Sequence, residues 1–251
     1  MTSAVKRLIQ STANRLGYRV VRSNGRAGVV EQWTHGLDTF LSLLQGFGFR
    51  PTHIIDVGAN RGNWTRRALK FFPSTRYTLI EPQDNLKQYI SDLLQAGGAI
   101  TWISAGVSDQ HGRLPFTIGQ PDSTSTFYFQ SAGNPGGSSV SIPVLTLNEV
   151  AAAHGVPELV KIDAEGFDLK VLGGASELLG KTDVFLVEVT ICAALYENSL
   201  AQVVRLMDEK GYKVADITDL NRSPKHGVLW LCELAFVRKG SGLFEVGTEY
   251  I

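Results

Sequence analysis

The chain has 251 residues, 43% of them hydrophobic, and its 24 basic and 24 acidic residues give a formal net charge of +0. A chain of this length can bury about three-quarters of its unfolded surface in one core, so it needs neither a disulfide nor a metal to fold. The neutral total excludes a global field that would attract nucleic acid or acidic lipid.

Cellular location is indicated by two features. The cysteines, Cys192 and Cys232, lie in apolar stretches without metal-ligand spacing, which favours reduced thiols in the core of a cytoplasmic protein. No run of about eighteen apolar residues is present, and the N-terminus lacks the long apolar region of a secretory signal. We therefore expect a cytoplasmic protein without a transmembrane segment.

The N-terminal segment departs from the neutral total, because residues 1–30 carry six basic side chains and no acidic one. Apolar residues at helical spacing predict a basic amphipathic helix there. Such a helix could contact a membrane surface through residues 1–26, cap an active site, or pair with a second subunit in a homodimer. We expect a helical segment over 1–50, a main domain over 51–240 and a tail over 241–251.

The main domain shows alternating helix and strand patterns. Helices are predicted around 37–44, from 63 to 73, and over 86–94, 168–179 and 201–210; strands are predicted over 54–57, 77–81, 100–107, 159–163, 184–189, 213–218 and 228–239. Continuous apolar runs are typical of strands buried on both faces of a parallel sheet, and the last two strands indicate an antiparallel hairpin. The pattern predicts an α/β fold with a mostly parallel seven-stranded sheet and helices on both faces.

Residues 112–147 interrupt this alternation. The segment is rich in Gly, Ser, Thr and Pro, yet it holds Phe116, Phe127, Tyr128 and Phe129. Unstructured loops of this length are uncommon inside a compact domain unless they carry function. We interpret it as an inserted β-excursion on the acceptor side of the site; the alternative for its tip, 130–139, is a disordered surface loop.

A ligand loop follows the first strand, in the run D-V-G-A-N-R-G that begins at Asp56. This run lacks the three glycines of a dinucleotide-binding loop, and a carboxylate at its start suits the cationic aminoacyl end of S-adenosylmethionine better than a phosphate. Glu81 ends the second strand, at about the interval that places an acidic residue against a ribose. We predict a methyl-donor site, with another nucleotide or a decayed site as the alternatives; its residues are Asp56, Gly58, Ala59, Asn60, Gly62, Glu81 and Asp163.

Three carboxylates at strand ends indicate the chemistry. Asp163 and Glu188 end neighbouring strands, and Glu165 follows Asp163 closely, so ligands outside the carboxyl edge would meet them. We predict these three as catalytic residues, because a carboxylate can remove a hydroxyl proton. They could instead bind Mg²⁺, and Glu165 could simply cap the next helix. His226, between the last two strands, and Tyr196 are predicted to contact substrate.

Five motifs in order resemble the FkbM family of S-adenosylmethionine-dependent methyltransferases over about residues 53–239. They are IIDVGANRGNWT, LIEPQ, LTLNEV, VKIDAEGFDLKVLGGA and LAFVRKG. The resemblance implies a class I methyltransferase (Rossmann-like) fold with strand order 3-2-1-4-5-7-6. By position it implies that Asp56, Gly58, Asn60 and Gly62 line the methionine end, that Glu81 binds the ribose, and that Asp163 and Glu165 lie near the transferred methyl group.

One position departs from the family pattern, which often has an aspartate where this chain has Glu233. We expect a structural role for Glu233. The resemblance implies O-methylation of a hydroxyl on a sugar, glycolipid or secondary metabolite, and thus a small-molecule or glycan acceptor. The alternatives are N- or carboxyl-methylation of a small molecule or peptide, and a non-catalytic nucleoside-binding module.

Overall fold

The computed structural model describes residues 36–95, 99–118, 138–192, 197–223 and 225–245. Its strands are β1 (His53–Val57), β2 (Arg76–Ile80), β3 (Ile100–Ile103), β4 (Gly106–Val107), β5 (Gly112–Ile118), β6 (Ser138–Leu145), β7 (Leu159–Ile162), β8 (Val184–Thr190), β9 (Tyr212–Arg222) and β10 (Leu229–Arg238). Its α-helices are α1 (Leu37–Gly46), α2 (Asn63–Phe71), α3 (Ser91–Gln95), α4 (Leu147–His154), α5 (Asp168–Gly173) and α6 (Leu200–Glu209), and a 3-10 helix (Asp84–Ile90) precedes α3.

Seven strands form one sheet in the order β3-β2-β1-β7-β8-β10-β9. The first five of these pair in parallel, whereas β10 runs antiparallel to both β8 and β9. The order is the predicted 3-2-1-4-5-7-6, so the class I methyltransferase fold is confirmed. The strand order reverses between β1 and β7, because β2 and β3 lie on one side of β1 and the later strands lie on the other. In such sheets ligands bind outside the carboxyl ends of the two strands at the reversal.

Apolar side chains cover both faces of this sheet. Within β1, Ile55 and Val57 pack into the cluster that includes α4, α5 and α6, while Ile54 packs into the cluster that includes α1, α2 and α3. Successive strand residues point to opposite faces, and both faces are covered here, so the strands consist mainly of apolar residues. The predicted placement of helices on both faces is confirmed.

Helix α1 contributes an apolar stripe to the core through Leu37, Phe40, Leu41 and Leu44, each at most 2% exposed. Their spacing is that of one helical face, as the sequence predicted. Residues 1–35 lie outside the described residues, as does the predicted basic helix. The division into segments 1–50, 51–240 and 241–251 therefore stays a prediction.

The inserted segment forms strands at its two ends. β5 and β6 pair antiparallel, and β6 also pairs with β4 in a separate three-stranded sheet of order β4-β6-β5. The single strand predicted over 100–107 was therefore wrong: it divides at Ser104 and Ala105 into β3 of the large sheet and β4 of the small one. Residues 119–137, which include Phe127, Tyr128 and Phe129, lie outside the described residues.

Smaller corrections concern helix ends and one cysteine. The helix predicted over 168–179 ends at Gly173 and continues as turns, and the helix predicted from residue 86 begins as 3-10 turns. Cys232 is buried as expected, whereas Cys192 is exposed, because it follows β8 where the chain leaves the sheet. Of the helices that the structure describes, none is long and apolar enough to cross a membrane.

Candidate active site

The loop after β1 folds back onto the end of β2. The amides of Gly58 and Ala59 both donate to the Ile80 carbonyl oxygen, at 2.9 and 3.1 Å. Gly58, Asn60 and Gly62 all have positive φ, which explains glycine at two of these positions and asparagine at the third. The loop is a tight turn, and its first two amides are used within the protein.

The two loop glycines lie against protein atoms. A Cβ at Gly58 would stand 1.9 Å from the Asp163 carbonyl oxygen, and one at Gly62 would stand 2.8 Å from Ile90 Cγ2. Glycine in such a loop often marks a close approach of the backbone to a ligand. At Gly58 the close approach is instead between the ends of β1 and β7. At Gly62 it is between α2 and the 3-10 helix.

Asp56 lies beneath the loop. Its side chain is 0% exposed, and Oδ2 accepts a 2.6 Å hydrogen bond from the Thr65 hydroxyl in α2. Burial raises the pKa of Asp56, and the nearby Lys161 ammonium opposes that shift. The resemblance implied a place for Asp56 at the methionine end of the ligand. The carboxylate is enclosed in the sheet, accepts a hydrogen bond from the first turn of α2 and lines neither of the two cavities described below, so that place stays a prediction.

A first cavity opens at the carboxyl ends of β1, β2 and β7. It is lined by Val57, Gly58, Asn60, residues 80–83, residues 105–107, Phe116 and residues 163–165. This is the edge of the sheet at which the sequence predicted the donor site. Four of the predicted site residues, Gly58, Asn60, Glu81 and Asp163, thus share one cavity with Glu165.

Glu81 lies in the wall of this cavity with only 3% of its surface exposed. Its Oε1 accepts from the backbone and side-chain nitrogens of Gln83, at 3.0 and 3.3 Å, and its Oε2 accepts from the Asn60 amide at 2.9 Å. Burial raises the pKa of Glu81, and these hydrogen bonds oppose the shift. Each carboxylate oxygen has about two acceptor positions, so Oε2 retains one for a further donor such as a hydroxyl.

The three predicted catalytic carboxylates interact with one another. Burial raises the pKa of Glu165 to about 8, and the charge of Asp163 adds to the shift. The pKa of Glu188 is also raised well above its ordinary range, first by burial and then by Asp163. Glu165 has positive φ and lines the first cavity. The capping alternative for Glu165 was wrong, because α5 has Phe167 at its N-cap and no side-chain cap.

The loop between β7 and α5 is held by two residues that sequence reasoning missed. Asp168 accepts the amides of Ala164 and Gly166, at 3.1 and 3.2 Å, and so ties the loop to the start of α5. Asn198 Nδ2 donates to Asp168 Oδ2 at 2.8 Å and to the Glu188 carbonyl at 3.2 Å. Burial raises the pKa of Asp168 to about 7. Nothing in the sequence pattern indicated Asn198, because it lies outside every motif.

A second cavity lies on the other side of Gly58, Asn60 and Asp163, which line both cavities. Its remaining walls are Leu37, Ala59, Arg61, Asn63, Trp64, Arg67, Lys161, Thr218, Asp219 and Glu233. Glu233 pairs with Glu188 in the β10–β8 register and accepts a hydrogen bond from the Thr218 hydroxyl. Burial raises the pKa of Glu233 to about 7. The sequence indicated only a structural role for this residue, yet its side chain faces a cavity.

One predicted substrate residue, His226, lies among the described residues. It is exposed in the turn between β9 and β10 and lines neither cavity, so its contact with substrate stays a prediction. Tyr196 lies outside the described residues. Across the described part of the chain, no group of three or more His, Cys, Asp or Glu side chains is arranged to hold a metal ion. The Mg²⁺ alternative therefore has no support.

Three solved structures with a similar fold are distant from this chain in sequence. A precorrin-6y C5,15-methyltransferase from Geobacter metallireducens is 14% identical, with 80% of this chain and 85% of that chain covered and a TM-score of 0.45. A 1,6-didemethyltoxoflavin-N1-methyltransferase from Burkholderia thailandensis, bound to S-adenosylhomocysteine, is 15% identical, with 94% and 88% covered and a TM-score of 0.46. A magnesium protoporphyrin IX methyltransferase from Synechocystis PCC 6803, also with S-adenosylhomocysteine, is 10% identical, with 80% and 81% covered and a TM-score of 0.48.

These likenesses are too distant to identify an acceptor, and no curated protein matches the chain. Family membership comes from a different comparison. The sequence model of the methyltransferase FkbM domain matches residues 56–214, a span that begins at the Asp56 loop and includes the Asp163 and Glu188 strand ends. The chain is a methyltransferase that belongs to the FkbM family.

Proposed function

We propose that this protein is an S-adenosylmethionine-dependent O-methyltransferase that acts on a hydroxyl group of a sugar, glycolipid or secondary metabolite. The observation that carries the proposal is the Glu165 carboxyl group in the wall of the first cavity, whose pKa burial raises to about 8. A group that titrates near neutral pH is suited to remove a proton, because the ideal catalytic pKa lies near the working pH.

The residues of the first cavity fit the proposed donor. Glu81 Oε2 keeps one acceptor position beside the Asn60 amide, which suits a ribose hydroxyl. Asp163 brings negative charge to the same cavity, which suits a sulfonium cation. When bound, S-adenosylmethionine would supply an electrophilic methyl group. Its binding here is supported by this donor set and by the family to which the chain belongs.

The acidic cluster, formed by Asp163, Glu165 and Glu188, would activate and orient the acceptor. Transfer of a hydroxyl proton to the ionised form of Glu165 makes the acceptor oxygen a stronger nucleophile, and Asp163 can accept a hydrogen bond from another hydroxyl of the acceptor to fix its direction. The Asp168 and Asn198 contacts hold the loop in place during this step. Asp163 lies in the wall shared by both cavities, so it is the carboxylate best placed to contact both ligands.

The alternative functions differ in how their ligands would interact with this acidic cluster. A carboxylate acceptor would be repelled by the charge of Asp163, which disfavours carboxyl-methylation. An amine acceptor would be stabilised here as its ammonium form, which has no lone pair for attack. A nucleoside-binding module without activity would bind the donor and transfer nothing.

The experiment has two stages. Isothermal titration with S-adenosylmethionine and S-adenosylhomocysteine tests the donor site first. Transfer of a radiolabelled methyl group is then measured for panels of hydroxylated, amine and carboxylic acid acceptors, with wild type and Glu165→Gln. We expect transfer to hydroxyl acceptors, a rate that rises as the pH approaches about 8, and a large loss in Glu165→Gln. Donor binding without transfer to any panel would favour the binding module, and transfer confined to amines would overturn the O-methyltransferase proposal.

A further inference from the structure

A lysine lies in the middle of the buried sheet. Lys161 belongs to β7, which is buried along its whole length, and the residue is only 4% exposed. It pairs in register with Asp56 of β1 on one side and with Leu186 of β8 on the other. Removing an ammonium from water costs free energy unless charged and hydrogen-bonding partners replace the water. The partners of Lys161 therefore show what it does.

The ammonium group joins two strand ends. Lys161 Nζ donates to the carbonyl oxygens of Gly58 at 3.1 Å and Val57 at 3.4 Å, at the point where β1 becomes the loop. It also lies 3.3 Å from Asp163 Oδ2 and 3.5 Å from Asp56 Oδ1. These oxygens belong to the end of β1 and to the residue that follows β7, so one group spans the junction between them.

The junction is the wall between the two cavities. Gly58 and Asp163 line both, and Lys161 lines the second. The approach of the Gly58 and Asp163 backbones allows no Cβ at residue 58. A shift of the loop by a fraction of an ångström would thus move the Asp163 carboxylate relative to both cavities.

The charge of Lys161 acts on more carboxyl groups than it touches. Burial by itself would lower the pKa of Lys161, but Asp163, Asp56 and Glu233 raise it, so the lysine stays charged. Burial raises the pKa of Glu165, Glu188 and Glu233, and in all three Lys161 is among the groups that oppose the shift. The ammonium is thus a counter-charge to the acidic cluster as well as a link between strands.

We propose that Lys161 is a positioning residue of the methyl-transfer site, which ties the loop after β1 to Asp163 and places a positive charge beside the acidic cluster. The proposal rests on the proposed function only for the identity of the ligand. The link between the loop and β7 is a property of the protein without ligand, and it can be measured without one.

The test compares Lys161→Met and Lys161→Arg with Lys239→Met. Lys239 is the matched control, because its ammonium also pairs with a carboxylate and donates to a carbonyl, both of Asp208, but at the exposed surface. Amide hydrogen exchange is followed for residues 58–60 and for β8. Binding of S-adenosylhomocysteine is measured by titration, and the carboxyl carbon of Glu233 is followed by NMR against pH.

In Lys161→Met we expect loop amides to exchange at least about tenfold faster while β8 is unchanged, because the loop opens separately from the sheet. We also expect binding of S-adenosylhomocysteine to weaken about tenfold, and the Glu233 titration to move to higher pH because its counter-charge is lost. Lys161→Arg should restore the titration and part of the loop protection, since it keeps the charge. Lys239→Met should change none of the three.

A folded Lys161→Met protein with wild-type loop exchange and an unmoved Glu233 titration would overturn the proposal. If Lys161→Met does not fold, Lys161→Arg decides, because its planar guanidinium cannot reproduce the contacts of a compact ammonium. Wild-type loop exchange in that variant would then also overturn it. Failure of wild type to bind S-adenosylhomocysteine would refute the donor site of the proposed function, while loop exchange and the titration would still decide the role of Lys161.

Discussion

The backbone of Gly58 lies against that of Asp163, so closely that a Cβ at residue 58 would stand 1.9 Å from the Asp163 carbonyl oxygen. The contact joins the loop after β1 to the end of β7. These two strands are neighbours, and the strand order of the sheet reverses between them. It brings the loop predicted to bind the donor and the carboxylate predicted to act near the methyl group into one wall.

This contact predicts a severe effect of Gly58→Ala. The variant combines a positive φ with overlap against backbone, and together these should lower the free energy of unfolding by roughly 2–5 kcal/mol. Gly180→Ala is the control, because Gly180 also has positive φ but its Cβ would meet no atom within 4 Å. It should lose only about 1–2 kcal/mol. Urea denaturation measures both, and equal losses would contradict the role of close approach.

Removal of the Glu81 carboxylate should weaken donor binding. A hydrogen bond to a charged group contributes roughly 1.5–3 kcal/mol, so Glu81→Ala should reduce affinity for S-adenosylhomocysteine by about one to two decades. Glu158→Ala is the control: Glu158 also accepts backbone amides, those of Thr52 and His53, but at the opposite edge of the sheet. Titration of both folded variants decides, and unchanged binding in Glu81→Ala would remove Glu81 from the site.

The raised pKa values predict that stability falls as pH rises. Burial raises the pKa of Glu165 from 4.5 to about 8, so the folded state holds this proton over a range in which the unfolded chain has lost it. The contribution of this proton to the free energy of unfolding is complete below pH 4.5 and is lost as pH rises through about 8. Glu165→Gln should therefore flatten the fall in unfolding free energy over that range. Glu177→Gln, at an exposed glutamate, should leave the slope as it is in wild type.

The Asn198 amide should matter more than its absence from any motif suggests. Asn198→Ala removes donors from Asp168 and from the Glu188 carbonyl, both in buried surroundings, and should cost about 1–3 kcal/mol of stability. The partly exposed Asn148, which donates to Ser176 and accepts the Glu177 amide, provides the control, with a smaller loss expected for Asn148→Ala. Thermal or urea unfolding compares them. A loss no larger than that of the control would show that Asn198 does not hold the loop.

Much of the fold followed from local patterns. The apolar runs of β1, β7 and β8 and the stripe of α1 are periodic signals that short segments carry by themselves, and the strand order followed from the family resemblance. Boundaries were less accurate: α5 ends early, and the strand predicted over 100–107 is divided between two sheets. Pairing partners decide where a strand leaves a sheet, and no local pattern records them.

The sequence by itself determined which residue types lie at the carboxyl edge of the sheet, because strand ends and loop lengths place Glu81, Asp163 and Glu188 there. Only the tertiary structure decided which side chains face a cavity. Asp56 is enclosed beneath the loop, whereas Glu233, expected to be structural, lines the second cavity. Burial and charge pairing depend on register and on contacts between residues far apart in the chain, such as Lys161 with Gly58, and a one-dimensional pattern does not contain them.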